Sequence, residues 1–299
     1  MSTLTETHFH NEAAAYRFVE KRVWSEGAVC PHCGGTDHNK ALKGKSTRLG
    51  VYKCYDCMKP FTVKVGTVFE SSHVKMHLWL QAMFLMASSK KGVSSNQLHR
   101  TLGVTLKTAW FMSHRLRLAM ATVGMEPMGG EGKIVEVDET YIGRLTGLPK
   151  GRGGSQNKNV VLTMVERGGS ARSFHVAGNR RFDVEGVMQV NIDKSSALMT
   201  DEAHWYKAVG REFASHDAVK HREEEYVRGT AHTNTVEGFY SIFKRGMKGI
   251  YQHCSEKHLH RYLAEFDFRY SNRVATGVND EARTSRMVSG IVGKRLTYK

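Results

Sequence analysis

Ile134 to Gly143 reads IVEVDETYIG, Ser196 to Tyr206 reads SALMTDEAHWY, and His232 to Gly249 reads HTNTVEGFYSIFKRGMKG. In the first stretch apolar residues lead into Asp138 and Glu139, as a strand would. In the second a short apolar run ends at Asp201. The third has helical spacing and carries Glu237, with Lys244 two turns further on. Two Asp at strand ends and one Glu on a helix suit a site that grips a hard divalent cation, Mg2+ or Mn2+, beside a phosphate. Alone, each Asp reads as a surface residue or a cap, and Asp201 is expected to cap a helix starting directly behind it. The set of three, in this topological order, makes the stronger case. Glu139 is expected to face the other side of its strand from Asp138. Lys244 returns to the helical face of Glu237, where a cation could hold substrate phosphate, and Arg245 and Lys248 extend that basic surface.

Around these stretches the pattern is α/β. Lys133–Ile142, Asn159–Glu166 and Ala171–Val176 read as three consecutive strands. A helix from Arg181, a strand over Ser196–Thr200, a helix over Asp201–Val209 and the helices carrying Glu237 and Leu259–Tyr270 follow. This order is consistent with an RNase H-like core. The loop between Gly143 and Lys158 is rich in Gly and basic residues, with Arg144, Lys150 and Arg152 as candidate DNA contacts, and it carries no nucleotide-loop consensus. Asp193, Asp183, Asp217 and the acidic run at 223–225 read as turn, cap or solvated surface.

Upstream of residue 128 the chain reads as two smaller parts. After a helix over residues 5–24, CPHCGG (Cys30–Gly35) and YKCYDCMKPFTVKVGTVFE (Tyr52–Glu70) supply Cys30, Cys33, Cys54 and Cys57 as two CxxC pairs. Four soft ligands from two tight turns are the pattern of a structural Zn2+ site in a zinc ribbon, with short strands around the second pair; His32 and His38 are unnecessary as ligands. So small a unit draws much of its folding energy from the metal. Its loop lysines could touch DNA or simply face solvent. Cys254 stands alone in a polar stretch and reads as structurally incidental. Residues 71–127 read as helices: KMHLWLQAMFLMASSK, then SSNQLHRTL, a turn at Gly103, and TLKTAWFMSHRLRLAM. A helix, a short Gly-containing turn and another helix form a helix-turn-helix-like segment. Lys107 would lie at the start of its recognition helix, and Arg115 and Arg117 further along. The expected organisation is therefore a ribbon part over 1–70, a helical part over 71–127 and a catalytic part over 128–299.

Composition narrows the partners. The 299-residue chain carries 44 Lys and Arg against 29 Asp and Glu, a net charge of +15, which favours a polyanion. No secretory leader or membrane-spanning run is evident, so a cytoplasmic protein without membrane association is expected. From the residues alone the reading stops at a metal-dependent nuclease or polynucleotidyl transferase. A zinc and helix-turn-helix regulator without catalysis would instead leave Asp138, Asp201 and Glu237 far apart. No RNA-reading module is recognisable.

The blocks CPHCGG, YKCYDCMKPFTVKVGTVFE, VEVDETYIG, LMTDEAHWY, HTNTVEGFYSIFKRGMKGIY and HLHRYLAEFDFRYSNR, in this succession, resemble bacterial insertion-sequence transposases with an N-terminal zinc ribbon and a DDE catalytic domain, the ISXO2-like group. The resemblance implies that Asp138 and Asp201 are the metal-binding Asp pair, Glu237 the third acidic member and Lys244 the lysine that follows it. Some relatives carry Asn or His at the third place, whereas Glu237 keeps the triad acidic. It further implies binding of double-stranded terminal inverted repeats, cleavage that exposes a 3′-hydroxyl, and transfer of that end into target DNA. The acting form would be at least a dimer on paired ends, nucleoid-associated in a bacterial cytoplasm.

Overall fold

A computed structural model describes residues 3–122, 124–149, 151–178, 180–220, 223, 225 and 227–297. They fall into two units: residues 1–89, 93–121 and 279–299, and residues 90–92 with 122–278. This division differs from the expected boundaries, because ribbon and helical segment share one unit and the last twenty-one residues return to it.

The first unit is built around a helix with apolar residues on nearly every side. Helix α1 (Glu12–Val23) is N-capped by the Asn11 side chain, and α2 (Met76–Ser88) buries Met76, Trp79, Leu80, Ala82, Met83, Met86 and Ala87. Because α2 lacks a capping side chain at Lys75, the Glu12 carboxylate takes the part, accepting from Met76 N at 2.8 Å and His77 N at 3.2 Å. Helices α3 (Ser95–Leu102) and α4 (Leu106–Met120) are joined through Gly103 at φ 65°, a left-handed position that glycine adopts without cost. Three short antiparallel strands, β1 (Asn39–Ala41), β2 (Tyr52–Cys54) and β3 (Pro60–Phe61), form the ribbon in that order. Only the second and third were expected; β1 is three polar-leaning residues with no apolar alternation. The closing helix α9 (Asp280–Ser289) is held to α2 by Arg283 Nη1 donating to Ala87 O at 3.0 Å.

The second unit is a five-stranded mixed sheet with helices on both faces. Its strands are β4 (Ile134–Ile142), β5 (Asn159–Glu166), β6 (Ala171–Val176), β7 (Ala197–Thr200) and β8 (Ser215–Ala218), in the spatial order β6-β5-β4-β7-β8. β4, β5 and β6 are antiparallel neighbours, whereas β7 lies parallel to β4, and β8 parallel to β7. The two-residue period of β4 sorts its side chains: Val135 and Val137 enter a core with Val184 and Met188 of α5 (Arg181–Asn191) and Tyr206 and Val209 of α6 (Tyr206–Gly210). Glu136 and Asp138 face the other way. On that side Val161 and Val165 of β5 pack with Val236, Phe239, Tyr240 and Phe243 of α7 (Asn234–Gly246) and Leu263 and Phe266 of α8 (Leu259–Ser271).

Two expectations need correction. No helix begins at Asp201: its Oδ1 accepts from Ala203 N at 3.0 Å in a local turn, and α6 starts only at Tyr206. Strand β8 was not expected, since SHDA is short and polar and sits at the sheet edge.

Candidate active site and metal centre

The ribbon's four thiols converge from two tight turns. Gly34 N donates to Cys30 O and Cys30 N to Gly35 O, each at 2.9 Å, with Gly34 at φ 76°. Cys54 ends β2, its N–H bonded to Lys59 O at 3.1 Å. All four sulfurs lie within 4.8 Å of one another, with Cys30–Cys57 at 3.7 Å and Cys33–Cys54 at 3.6 Å. A tetrahedron of thiolates about 2.3 Å from zinc has edges of about 3.8 Å, so the cage has the size that Zn2+ needs. Its electrostatics fit as well. Burial raises the Cys30 thiol, but the amides of His32 and Cys33 and the neighbouring thiols outweigh it and bring it to about 7. The Gly35 amide favours a Cys33 thiolate, yet Cys30, Cys54 and Cys57 together push it up to about 12. Four thiolates in one cage need a cation. His38 is engaged elsewhere, 2.6 Å from Asp56.

In the second unit the sheet register sets two of the expected carboxylates at the same level. The parallel pairs Ile134↔Ala197, Val135↔Leu198 and Glu136↔Met199, continued by two residues, set Asp138 level with Asp201. Helix α7 crosses this face and carries Glu237 and Lys244. Tyr240, one turn past Glu237, donates its hydroxyl to Asp138 O at 2.5 Å, which pins the helix to the strand. Burial first, then the charge of Asp201 and after it that of Glu237, pushes the Asp138 carboxyl up to about 7; the Glu139 amide and Lys244 pull against them. The charges of Asp201, Glu237 and Lys244 therefore all reach Asp138. Asp138 Oδ1 accepts from Glu139 N at 2.8 Å, and Glu237 Oε1 from Thr233 Oγ1 at 3.1 Å. Among the described residues only the four cysteines meet the 4.8 Å spacing, so the carboxylates form a looser set. A carboxyl raised by burial and by two further carboxylates belongs to a donor set that a hard divalent cation would relieve. Glu139 lies on the α6 side, where burial, with the charges of Asp138 and Asp201 adding to it, pushes it up to about 8.

Behind Asp138, the register Asp138↔Thr163↔Ser173 runs across β4, β5 and β6 on one face. Thr163 Oγ1 and Ser173 Oγ are 2.9 Å apart, and Ser173 Oγ donates to Asp267 Oδ1 of α8 at 2.6 Å. Sequence reading passed over this line and also over fully buried Glu136. A charged residue in mid-strand, two positions before Asp138, was the signal available for the latter.

The expected basic contacts divide. Lys107, Arg144, Arg152, Arg245 and Lys248 are exposed. Lys150 lies outside the described residues. Arg115 and Arg117 are buried, at 4% and 1% exposure, which corrects the expectation that they face DNA. Arg115 Nη1 donates to Val68 O at 2.8 Å and Glu70 O at 2.7 Å, over the Phe111 ring, and Arg117 Nη1 donates to Ser113 Oγ at 3.0 Å. The outer end of α4 is instead its first turn, with exposed Thr105, Leu106 and Lys107.

Comparison with known proteins bears on both parts of the chain. Residues 129–271 match the ISXO2-like transposase domain, and residues 10–60 match the transposase zinc-ribbon domain. Over 280 residues the chain is 27% identical to an uncharacterized protein in transposable element ISH50 of Halobacterium salinarum, covering 87% of this chain and 91% of the relative. Among the described residues no helix is long and apolar enough to cross a membrane. The chain thus joins a segment matching the transposase zinc-ribbon domain to one matching the ISXO2-like transposase domain, and over most of its length it is similar to a protein of an insertion-sequence element.

Proposed function

We propose that this protein is a DDE transposase with an RNase H-like core, which binds the terminal inverted repeats of its element, cuts to expose 3′-hydroxyl ends and joins them to target DNA. The observation that carries the reading is Asp138, flanked by the charges of Asp201, Glu237 and Lys244. The sheet order β6-β5-β4-β7-β8, with its first three strands antiparallel, is consistent with the proposed core.

Asp138, Asp201 and Glu237 would hold Mg2+ or Mn2+ through carboxylate oxygens. Bound there, the ions would polarise the scissile phosphate, activate water or a 3′-hydroxyl and stabilise the leaving oxygen of an in-line displacement. Lys244, whose Nζ lies 5.8 Å from the Tyr240 ring centre, would hold substrate phosphate, and exposed Arg245 and Lys248 would continue the positive surface along the backbone. Arg144 and Arg152 give the β4–β5 loop the same charge. The first turn of α4, with Lys107, is the part of the helix-turn-helix able to reach a groove. Four thiolates holding Zn2+ would fold the ribbon rather than take part in chemistry. On paired ends the working form would be at least a dimer.

The test is incubation of end-bearing double-stranded DNA and Mg2+ with wild type and Asp201→Ala. Wild type should nick at the element end and join the strand, while the variant binds but does neither. Equal cleavage by both would remove Asp201 from the chemistry, and nicking without joined product would reduce the protein to a nuclease.

A further inference from the structure

We infer that Glu136 is a positioning residue, which locks the start of α7 onto β4 and thereby sets Glu237 against Asp138. The inference rests on the catalytic reading of those two carboxylates. Glu136 shares the strand face of Asp138, two residues away, and its side chain has no exposure to solvent. A buried carboxylate is costly unless each oxygen is paired, and here both are. Oε1 accepts from Arg167 Nε at 2.6 Å and Thr235 Oγ1 at 2.7 Å, with His232 Nδ1 3.2 Å away. Oε2 accepts from Thr235 N at 2.8 Å and Val236 N at 3.0 Å.

The last two donors are amides of the first turn of α7, which in most helices are met by the N-cap side chain. Thr233 makes no such cap bond; its hydroxyl is given to Glu237 instead. The cap therefore comes from the neighbouring strand, and the helix cannot slide or turn without breaking charge-assisted bonds. Arg167 completes the clamp. Besides Glu136 it donates to Thr230 O at 2.8 Å and His232 O at 3.0 Å, fixing the segment that leads into the helix. One carboxylate thus ties the backbone two residues before Asp138 to that one and two residues before Glu237. Groups that orient metal ligands from behind commonly change metal affinity or activity by about 10–100-fold when lost.

The full-length chain tests this with Glu136→Gln, which keeps the volume but leaves one acceptor oxygen where two are used. Metal-free amide exchange at Thr235, Val236 and Glu237 should quicken by about ten-fold or more, while amides at 242–245 change by less than about two-fold. In nicking assays the Mn2+ concentration for half-maximal rate should rise by about 10–100-fold, with the rate at saturating Mn2+ largely recovered. Thr235→Val removes one bond and keeps the carboxylate, and should shift both readouts in the same direction by about three-fold; it also serves if Glu136→Gln does not fold. Wild-type exchange and Mn2+ dependence in the folded variants, or a uniform rise in exchange across the unit without a shift in Mn2+ dependence, would overturn the inference. Glu237→Gln in parallel separates the two ideas. If it nicks normally the catalytic reading fails, whereas the exchange result still reports on the clamp.

Discussion

The cysteine cage and the proposed carboxylate site in this chain are built on opposite plans. The thiolate cage comes from twenty-eight consecutive residues, Cys30 to Cys57, with all four sulfurs within 4.8 Å. The carboxylate set draws on Asp138, Asp201 and Glu237 from a central strand, the end of its parallel neighbour and a helix across the sheet, and it is looser. A closed local cage suits a metal that folds the chain. An open set held by distant scaffolding suits ions that must share their coordination with substrate.

The largest expected effect follows from that contrast. Cys54→Ser, or a strong chelator, should unfold the ribbon, because zinc contributes on the order of 10 kcal/mol to such small units. Zinc content and the near-ultraviolet signal of Trp24, packed on Tyr52 and Phe61 in the ribbon core, would report it. Removing Mg2+ should leave both signals unchanged; an unfolding transition on Mg2+ removal would break the comparison.

Next in size, Asp138→Ala or Glu237→Gln should lower nicking by at least about 10³-fold, with fold and end binding retained. A third effect sharpens the division among the arginines. Arg115→Ala should destabilise its unit by about 3 kcal/mol in denaturant melts, since it strands two carbonyls and opens a cavity. Lys107→Ala should leave stability unchanged and flatten the salt dependence of DNA binding by about one unit of slope. A loss of DNA affinity in Arg115→Ala without loss of stability would reverse that assignment.

How far the sequence could be read follows the same contrast. The CxxC pairs were legible because spacing along the chain is the site. Strands β4, β5 and β6 were legible because their apolar runs are long. Arg115 and Arg117 were misread because their helix offers charge at regular intervals, and only the fold reveals that the Arg115 partners are carbonyls at Val68 and Glu70. Helix α9 was grouped with the catalytic part because its contacts, such as Arg283 to Ala87, lie nearly two hundred residues back along the chain. Glu136 drew no reading of its own, because its partners on α7 lie about a hundred residues further along the chain.

The smallest effect concerns pH. The ordinary value for the Asp138 carboxyl is 3.8, and in the folded chain it stands at about 7. The folded state therefore holds this proton more tightly than the unfolded state, and stability contributed by the protonated form is lost as pH rises from about 4 to about 7. With the shift discounted by half for solvent and coupling, Asp138→Asn should gain on wild type by about 2 kcal/mol between pH 4 and pH 8 in metal-free melts. Saturating Mg2+ should narrow the gap at pH 8. A gap independent of pH would contradict the crowding of charge around Asp138.

The most direct measurement of the central claim is backbone cleavage by hydroxyl radicals from Fe2+ loaded in place of Mg2+, with zinc retained in the ribbon. Three carboxylates gripping common ions predict cuts near residues 138, 201 and 237 together, all suppressed by excess Mg2+ and all absent in Asp201→Ala. Cuts near one of these positions alone, or cuts that persist in that variant, would contradict it.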